Sequence, residues 1–374
     1  MQGSVVLLIY ICGNEQVSAS KSALLLASFV SCNFITTTMK SILTVFFIIF
    51  NVIAYGQSFN VTTDTFDISL KELIKPATKV DLTHAIKFQN KYYCFFEERK
   101  KDNSRQDLKF CFIVSNYAKT IQKIKVPNEI QNTVYYDLFL RHDTIFVKTY
   151  MDGETYYFNI DKLAWVTIKD ADDMIFEDER YYFTYLDFGE WGSTTWCKDK
   201  LTGNEYELAS SGTIINKIDS VYYITAGLKI LKIENPLKLK QCKNGYFYET
   251  VRQKKFSEGT NSLAGAEVLF DDTTYSEFEQ KEPKLIVATS FVADNKLFHL
   301  CMDSTQTFIA KLENGHMTPI QIIGKNISTF DWTYSDRNKV QKDSSQLLKF
   351  KTKNLFGLIE IKGQEINIHY LHFK

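Results

Sequence analysis

Residues 181–208 read YYFTYLDFGEWGSTTWCKDKLTGNEYEL. This stretch contains three short runs rich in aromatic and β-branched residues, at 181–185, 194–198 and 206–208. Such residues favour strands, because their side chains fit a pleated, half-buried surface. Turn-forming residues, mostly Gly and Asp, separate the runs. The stretch therefore predicts three consecutive β-strands joined by short turns.

Similar runs recur along the rest of the chain, each bounded by turn residues. The dipeptides Asp152-Gly153, Asn314-Gly315 and Lys362-Gly363 lie between apolar runs, where tight hairpin turns need positive φ angles. Residues 365–370 alternate between apolar and polar side chains, which is the period of a strand. Helical patterning is thin, with one or two turns expected at 70–75. The sequence predicts an all-β fold with little helix.

The strand-like runs end roughly every 40 residues, with one interval about twice as long. Together with the unit at 181–208, this period resembles the blades of kelch-like or quinoprotein-like β-propellers. The resemblance implies about six to seven four-stranded antiparallel blades over 57–374, closed by a strand from 59–70 that pairs with the last blade. A β-sandwich or two smaller β-domains remain as alternatives. The double Gly of kelch repeats and the Trp-Asp repeat ending are missing, so no specific family is identified. The blade ends are placed near Val126, Ile168, Leu208, Cys242, Ile320 and Phe373.

The N-terminal part of the chain carries an export pattern. A short basic start at Met39 precedes an apolar run at 42–54, and small residues lie just before Gln57. The run is shorter than the roughly 20 residues that a membrane span needs. Residues 39–56 therefore resemble a signal peptide of Gram-negative bacteria, cleaved before Gln57. Residues 1–38 are interpreted as an upstream extension from a misplaced start, with a genuine longer leader as the alternative. We expect the mature protein to be periplasmic, outer-membrane-associated or extracellular, without a transmembrane segment.

Charge and composition exclude some partners. The chain has 44 basic and 44 acidic residues, so it lacks the basic excess typical of nucleic-acid binders. The 29 Phe, 21 Tyr and 4 Trp residues fit a strand-rich core. No nucleic-acid partner is expected.

A group of aromatic residues is the best candidate for a ligand site. Trp191, Trp196 and Trp332, with Tyr185 and the neighbouring Asp187, are candidates for a platform on which a sugar or peptide stacks. Aromatic side chains in blades are also typical core residues, because each buries a large area. Trp191 is the strongest candidate, since it lies between two glycines in an expected loop.

The sequence contains no pattern that indicates a metal site or a catalytic site. The six His residues lack the spacing of a metal site. The acidic turns at 170–173 and 271–272 lack the alternating oxygen ligands of a calcium loop and are expected to be solvated. No catalytic residue, cofactor or metal is predicted. The chain is interpreted as an exported, non-enzymatic binding or scaffolding protein for an unknown protein or glycan. The alternatives are a glycan-acting enzyme or glycan-capture protein, and a structural partner in an outer-membrane complex.

Two cysteines are candidates for a disulfide. The runs at 92–96 and 109–114 flank one polar stretch and are expected to form a hairpin. A register that pairs Glu97 with Leu108 would place Cys94 opposite Cys111, within reach of a bond in an oxidising compartment. The alternative is that the cysteines are buried apolar residues.

Overall fold

The fold is a β-propeller of six blades. In the computed structural model 64% of the described residues are strand and 6% are helix. The predicted all-β propeller is confirmed with six blades, and the β-sandwich alternative is wrong. The expected signal peptide at 39–56 lies outside the described residues. The described residues are 58–68, 79–99, 108–115, 121–133, 136–141, 143–149, 154–169, 171–254, 257–272, 284–325, 327, 345–353 and 355–373.

The first three blades follow chain order, with the strands numbered along the chain. β1 (Asn60–Ile68) precedes them and belongs to the last blade. Blade one contains β2 (Lys79–Phe88), β3 (Lys91–Arg99), β4 (Leu108–Ser115) and β5 (Ile121–Ile124). Blade two contains β6 (Tyr136–Arg141), β7 (Thr144–Thr149), β8 (Thr155–Asn159) and β9 (Ala164–Ile168). Blade three contains β10 (Met174–Glu177), β11 (Tyr181–Asp187), β12 (Ser193–Asp199), β13 (Glu205–Ala209) and the added short strand β17 (Lys240–Gln241).

The last three blades complete the ring, and helix is confined to short pieces. Blade four contains β14 (Ile214–Ile218), β15 (Val221–Ala226), β16 (Lys229–Ile233) and β18 (Glu267–Asp271). Blade five contains β19 (Ile286–Ala293), β20 (Lys296–Met302), β21 (Gln306–Glu313) and β22 (His316–Lys325). Blade six contains β23 (Gln346–Lys351), β24 (Phe356–Lys362), β25 (Glu365–Phe373) and β1. The helices are α1 (Asn128–Asn132), α2 (Tyr248–Arg252) and the 3-10 turns Gly189–Trp191 and Pro236–Lys238.

The ring closes through β1. It lies at the edge of blade six and pairs with β25, from Asn60 opposite Glu365 to Ile68 opposite Phe373. The predicted closure by a strand from 59–70 is therefore confirmed. This pair runs parallel, whereas the other described strand pairs are antiparallel. By covering the edge of β25, β1 removes a row of unpaired backbone groups that would otherwise invite aggregation.

The core lies between the blades rather than on one side of a sheet. Side chains along a strand point alternately to the two faces. In β3, Cys94 packs in the cluster shared with blade six, whereas Phe95 packs in the cluster shared with blade two. Both faces of the blade are thus buried. This explains why the strands read as nearly continuous aromatic runs.

The predicted hairpin of Cys94 and Cys111 forms, but its register is wrong by one residue. Cys94 lies opposite Phe112, and Cys111 lies opposite Phe95. A shift of one residue moves a side chain to the other face of the sheet. The two cysteines therefore point into different interblade clusters, and both are free, buried thiols.

One predicted blade end is also wrong. Cys242 does not close a blade, because it lies in an excursion at 234–266 between the third and fourth strands of blade four, β16 and β18. The excursion contains β17 and α2 and packs against blade three. The long interval in the sequence is thus one blade with an insertion. We call residues 234–266 the insertion.

Candidate functional site

The insertion covers one face of blade three by packing around Trp196. The indole Nε1 of Trp196 donates a hydrogen bond to the carbonyl of Tyr246 at 2.9 Å. The rings of Tyr246 and Tyr248 lie 5.8 and 5.7 Å from the Trp196 ring, centre to centre. Val251 and Cys242 complete this buried cluster. An aromatic core of this kind fixes the position of the insertion on the blade.

The insertion is also tied to the boundary between blades two and three. The hydroxyl of Tyr248 accepts a hydrogen bond from the backbone N–H of Asp173 at 2.7 Å and donates one to its carboxylate at 3.0 Å. Lys148, from blade two, forms an ion pair with the same carboxylate at 2.6 Å. The turn at 170–173 was expected to be solvated, but Asp173 is buried. Lys148 and the Tyr248 hydroxyl both bond this buried carboxylate, as a buried charge requires.

A groove of about 610 Å³ opens where the insertion meets blade three. It is lined by Glu207, Lys240, Lys243, Tyr246 and the segment 258–262. Glu207 comes from β13, whereas the other lining residues come from the insertion. The groove therefore exists only because the insertion returns to a strand that precedes it in the chain.

The segment 258–262 is held in place along its length. The N–H of Gly259 donates to the carbonyl of Trp191 at 2.7 Å. Thr260 donates its N–H to the hydroxyl of Thr194 at 2.9 Å and its own hydroxyl to Glu207 at 3.0 Å. These bonds satisfy polar groups of a segment that has no ladder of its own. The rim of the groove is therefore preorganised.

Glycine is required at position 259. A Cβ atom there would lie 2.5 Å from the backbone nitrogen of Ser193 and 2.9 Å from the carbonyl carbon of Gly192. Backbone atoms cannot move aside as a flexible side chain can, so only glycine allows this approach. The approach is what brings Trp191 next to the groove.

The electrostatics of the groove centre on Glu207. Its side chain is only 4% exposed, and its Oε1 atom lies 2.5 Å from the ammonium of Lys240. This hydrogen bond raises the pKa of Lys240. Burial raises the pKa of Tyr246, so its hydroxyl stays protonated and donates to the carbonyl of Glu258 at 2.7 Å. The other carboxylate oxygen of Glu207 has no partner among the described residues.

The aromatic residues that the sequence predicts as a ligand platform differ in their exposure. Trp191 is 63% exposed and ends the 3-10 turn Gly189–Trp191 beside the groove. Asp187 shapes this turn, because its carboxylate accepts the N–H of Gly189 at 2.9 Å. Tyr185 and Trp196 are 2% and 1% exposed and point to opposite faces of blade three, so they do not form one platform with Trp191. Trp332 lies outside the described residues.

The sequence did not predict the residues that line the groove. Glu207, Lys240, Lys243 and Thr260 come from separate segments and share no motif. Nothing in their spacing signals proximity, because the insertion brings them together by folding back. The long polar stretch after α2 was the available hint, since long loops often carry function.

A buried Ser-His pair elsewhere has a structural role. Ser290 Oγ lies 2.7 Å from His299 Nδ1. Both residues are almost fully buried, and burial lowers the pKa of His299 to about 3. The imidazole is therefore neutral at ordinary pH and inaccessible to a substrate. In the part of the chain that the structure describes, no group of three or more His, Cys, Asp or Glu side chains is arranged to hold a metal ion.

Comparison with known proteins gives a likeness of shape only. No protein-family model and no curated protein sequence matches the chain. The CNH domain of AfRom2 is 9% identical over 82% of this chain and 86% of its own, with a TM-score of 0.35. An extracellular domain of a putative hybrid two-component system from B. thetaiotaomicron is 7% identical over 82% of this chain and 46% of its own, with a TM-score of 0.32. A putative 6-phosphogluconolactonase from Bacteroides uniformis is 11% identical over 73% of this chain and 80% of its own, with a TM-score of 0.31. At these values none of them carries an argument about function.

Among the described residues, no helix has the length and hydrophobicity to cross a membrane.

Proposed function

We propose that the chain is an exported, non-enzymatic binding protein, and that Trp191 and the groove beside it form its ligand-contact surface. The exposure of Trp191 carries this proposal. A large indole in a fixed turn leaves apolar area in water, and tryptophan is enriched among residues that dominate binding energy. The turn is held by Asp187 and by the contact with Gly259, so little ordering is needed when a ligand binds.

The state of the reactive groups supports binding rather than catalysis. Cys242 lies in the buried cluster around Trp196, and burial raises its thiol pKa to about 12, so it is not a ready nucleophile. Glu207 is already engaged with Lys240 and Thr260. These groups are arranged to hold a surface in one shape. The export pattern at 39–56 supports a location outside the cytoplasm.

Two measurements test the proposal. N-terminal sequencing of protein recovered from the periplasm or medium of a Gram-negative host is expected to give Gln57. Binding of the purified protein to panels of oligosaccharides and peptides is expected to depend on Trp191 but not on Leu201, an apolar side chain that is 77% exposed in the turn after β12. A ligand bound equally well by Trp191→Ala would place the binding surface elsewhere.

A further inference from the structure

Glu207 presents an unsatisfied acceptor to the groove. Its Oε1 atom receives Lys240 and Thr260, whereas Oε2 has no partner among the described residues. Each oxygen of a carboxylate can accept hydrogen bonds, and Oε2 keeps this capacity for a molecule in the groove. Water reaches this oxygen, and a ligand hydroxyl could take the place of that water.

The other polar groups of the groove are mixed in sign and type. Lys243, Glu258 and Asn261 have side chains without a hydrogen-bond or ion-pair partner in the described part of the chain. With Lys240 and Glu207 they give the groove two positive and two negative side chains. A balanced lining does not select an anion or a cation. It suits a neutral ligand whose groups both donate and accept hydrogen bonds.

Trp191 adds an exposed indole on the turn that is bonded to the groove rim. Its carbonyl accepts the N–H of Gly259, which lines the groove. The electron-rich face of an indole attracts weakly positive hydrogens, and one face of a pyranose ring presents C–H groups of this kind. From the unpaired Glu207 oxygen, the balanced lining and the exposed indole, we propose that this site binds a neutral saccharide. This inference rests on the binding function proposed above.

A peptide fits the site less well. Extended peptides commonly add a strand to a free sheet edge or lay side chains into an apolar groove. The β13 edge is occupied where Tyr206 and Glu207 pair with β17. A peptide strand could therefore not add to β13 at this point.

The test is calorimetric titration of the full chain with maltohexaose, cellohexaose and chitohexaose, with tryptophan fluorescence as a second readout. At least one hexasaccharide is expected to bind. Trp191→Ala is expected to weaken binding by about tenfold or more, as for an aromatic anchor, and Trp191→Phe to restore part of it. Leu201→Ala is the matched exposed control and is expected to bind like the unchanged protein.

A second pair of variants tests the polar half of the site. Lys243→Ala leaves the Glu207–Lys240 pair intact and is expected to weaken saccharide binding, while Lys254→Ala, outside the groove lining, is not. The saccharide inference is overturned if no hexasaccharide binds, or if Trp191→Ala and Lys243→Ala retain full affinity. A peptide panel run beside it separates the two proposals. If a peptide binds in a Trp191-dependent way and no saccharide binds, the saccharide inference is overturned and the proposed binding function stands. If neither saccharide binding nor peptide binding depends on Trp191, both proposals are overturned.

Discussion

Asp64 and His369 join the first and last described strands, with Asp64 Oδ1 lying 2.5 Å from His369 Nδ1 although 305 residues separate them. The other ring nitrogen of His369 lies 3.0 Å from the hydroxyl of Tyr92, in blade one. That hydroxyl donates to Glu360 at 2.8 Å. The closure of the ring is therefore reinforced by a polar cluster that connects β1, blade six and blade one, and that is buried apart from Asp64.

The first prediction concerns the acid stability of this cluster. Burial alone raises the pKa of the Glu360 carboxyl, but His369, Lys87 and Tyr92 lower it from 4.5 to about 2. A lowered pKa in the folded state contributes stability above the unfolded value, and this contribution is lost as the pH falls from 4.5 towards 2. We expect Glu360→Gln to lower the free energy of unfolding by about 2 kcal/mol at neutral pH. The difference from the unchanged protein should shrink over the acidic range.

Urea unfolding across this pH range measures the effect. Glu365→Gln is the control, because the Glu365 carboxylate lies on the same strand pair but bonds Asn60 at the exposed surface. It should change the free energy of unfolding by less than about 0.5 kcal/mol. A Glu360→Gln effect that stays constant down to low pH would contradict the assignment.

The second prediction is that Trp191 and Trp196 contribute very differently to the stability of the fold. Trp196→Phe removes the hydrogen bond to the Tyr246 carbonyl, and we expect a loss of about 1–3 kcal/mol from the unpaired carbonyl and the smaller ring. Trp191→Ala should change stability by less than about 0.5 kcal/mol, because its side chain is exposed. Chemical unfolding measures both. Iodide should quench the Trp191 emission and leave that of Trp196 intact, and equal destabilisation by the two changes would be inconsistent with this assignment.

The third prediction concerns the contact at Gly259. An alanine Cβ there would meet the backbone of Gly192 and Ser193, so the segment must shift. We expect Gly259→Ala to cost about 1–3 kcal/mol and to speed hydrogen exchange at the Thr260 amide, which loses its bond to Thr194. Asn261→Ala, on the same segment, is the matched control and should leave both quantities unchanged. Unaltered exchange in Gly259→Ala would show that the rim does not depend on the close approach.

The fourth prediction concerns the cysteines. The five cysteines after residue 57 are buried and free, and burial raises the thiol pKa of Cys94 and Cys301 to about 12. Native protein should therefore not react with a thiol reagent at neutral pH. After denaturation without reductant, all five should react. A count of three would reveal a disulfide, and the peptides carrying Cys94 and Cys111 would be the first to check by mass spectrometry.

Much of the propeller is readable from the sequence because its strands are short, aromatic and separated by turn residues. The hairpin of β24 and β25 was predicted around Lys362-Gly363 and is confirmed. Its alternation was predicted too, with Ile366 and Ile368 buried on one face. His369, on the polar face, is nevertheless buried, because β1 and blade one cover that face. The burial of His369 depends on contacts between residues that are far apart in the sequence, and a local pattern does not reveal them.

The insertion and the register of the hairpin that contains Cys94 and Cys111 could not be predicted from the sequence. The register of the Cys94–Cys111 hairpin depends on turn geometry, which the sequence of a long polar connection does not fix. β17 has only two residues, Lys240–Gln241, too few to show a period. The groove was missed for the same reason, since Glu207 and Thr260 are 53 residues apart and meet only through the insertion. The exposure of Trp191 could be predicted, because an aromatic residue between two glycines in a loop is a local signal.

The pairing of β1 with β25 determines when the ring can close during synthesis of the chain. β1 leaves the ribosome before the other described strands and can find its partner only after β25 has emerged. Until then every blade already formed belongs to an open arc with an unprotected edge, and long-range pairing of this kind is slow. The closed ring is therefore withheld until synthesis of β25 is complete.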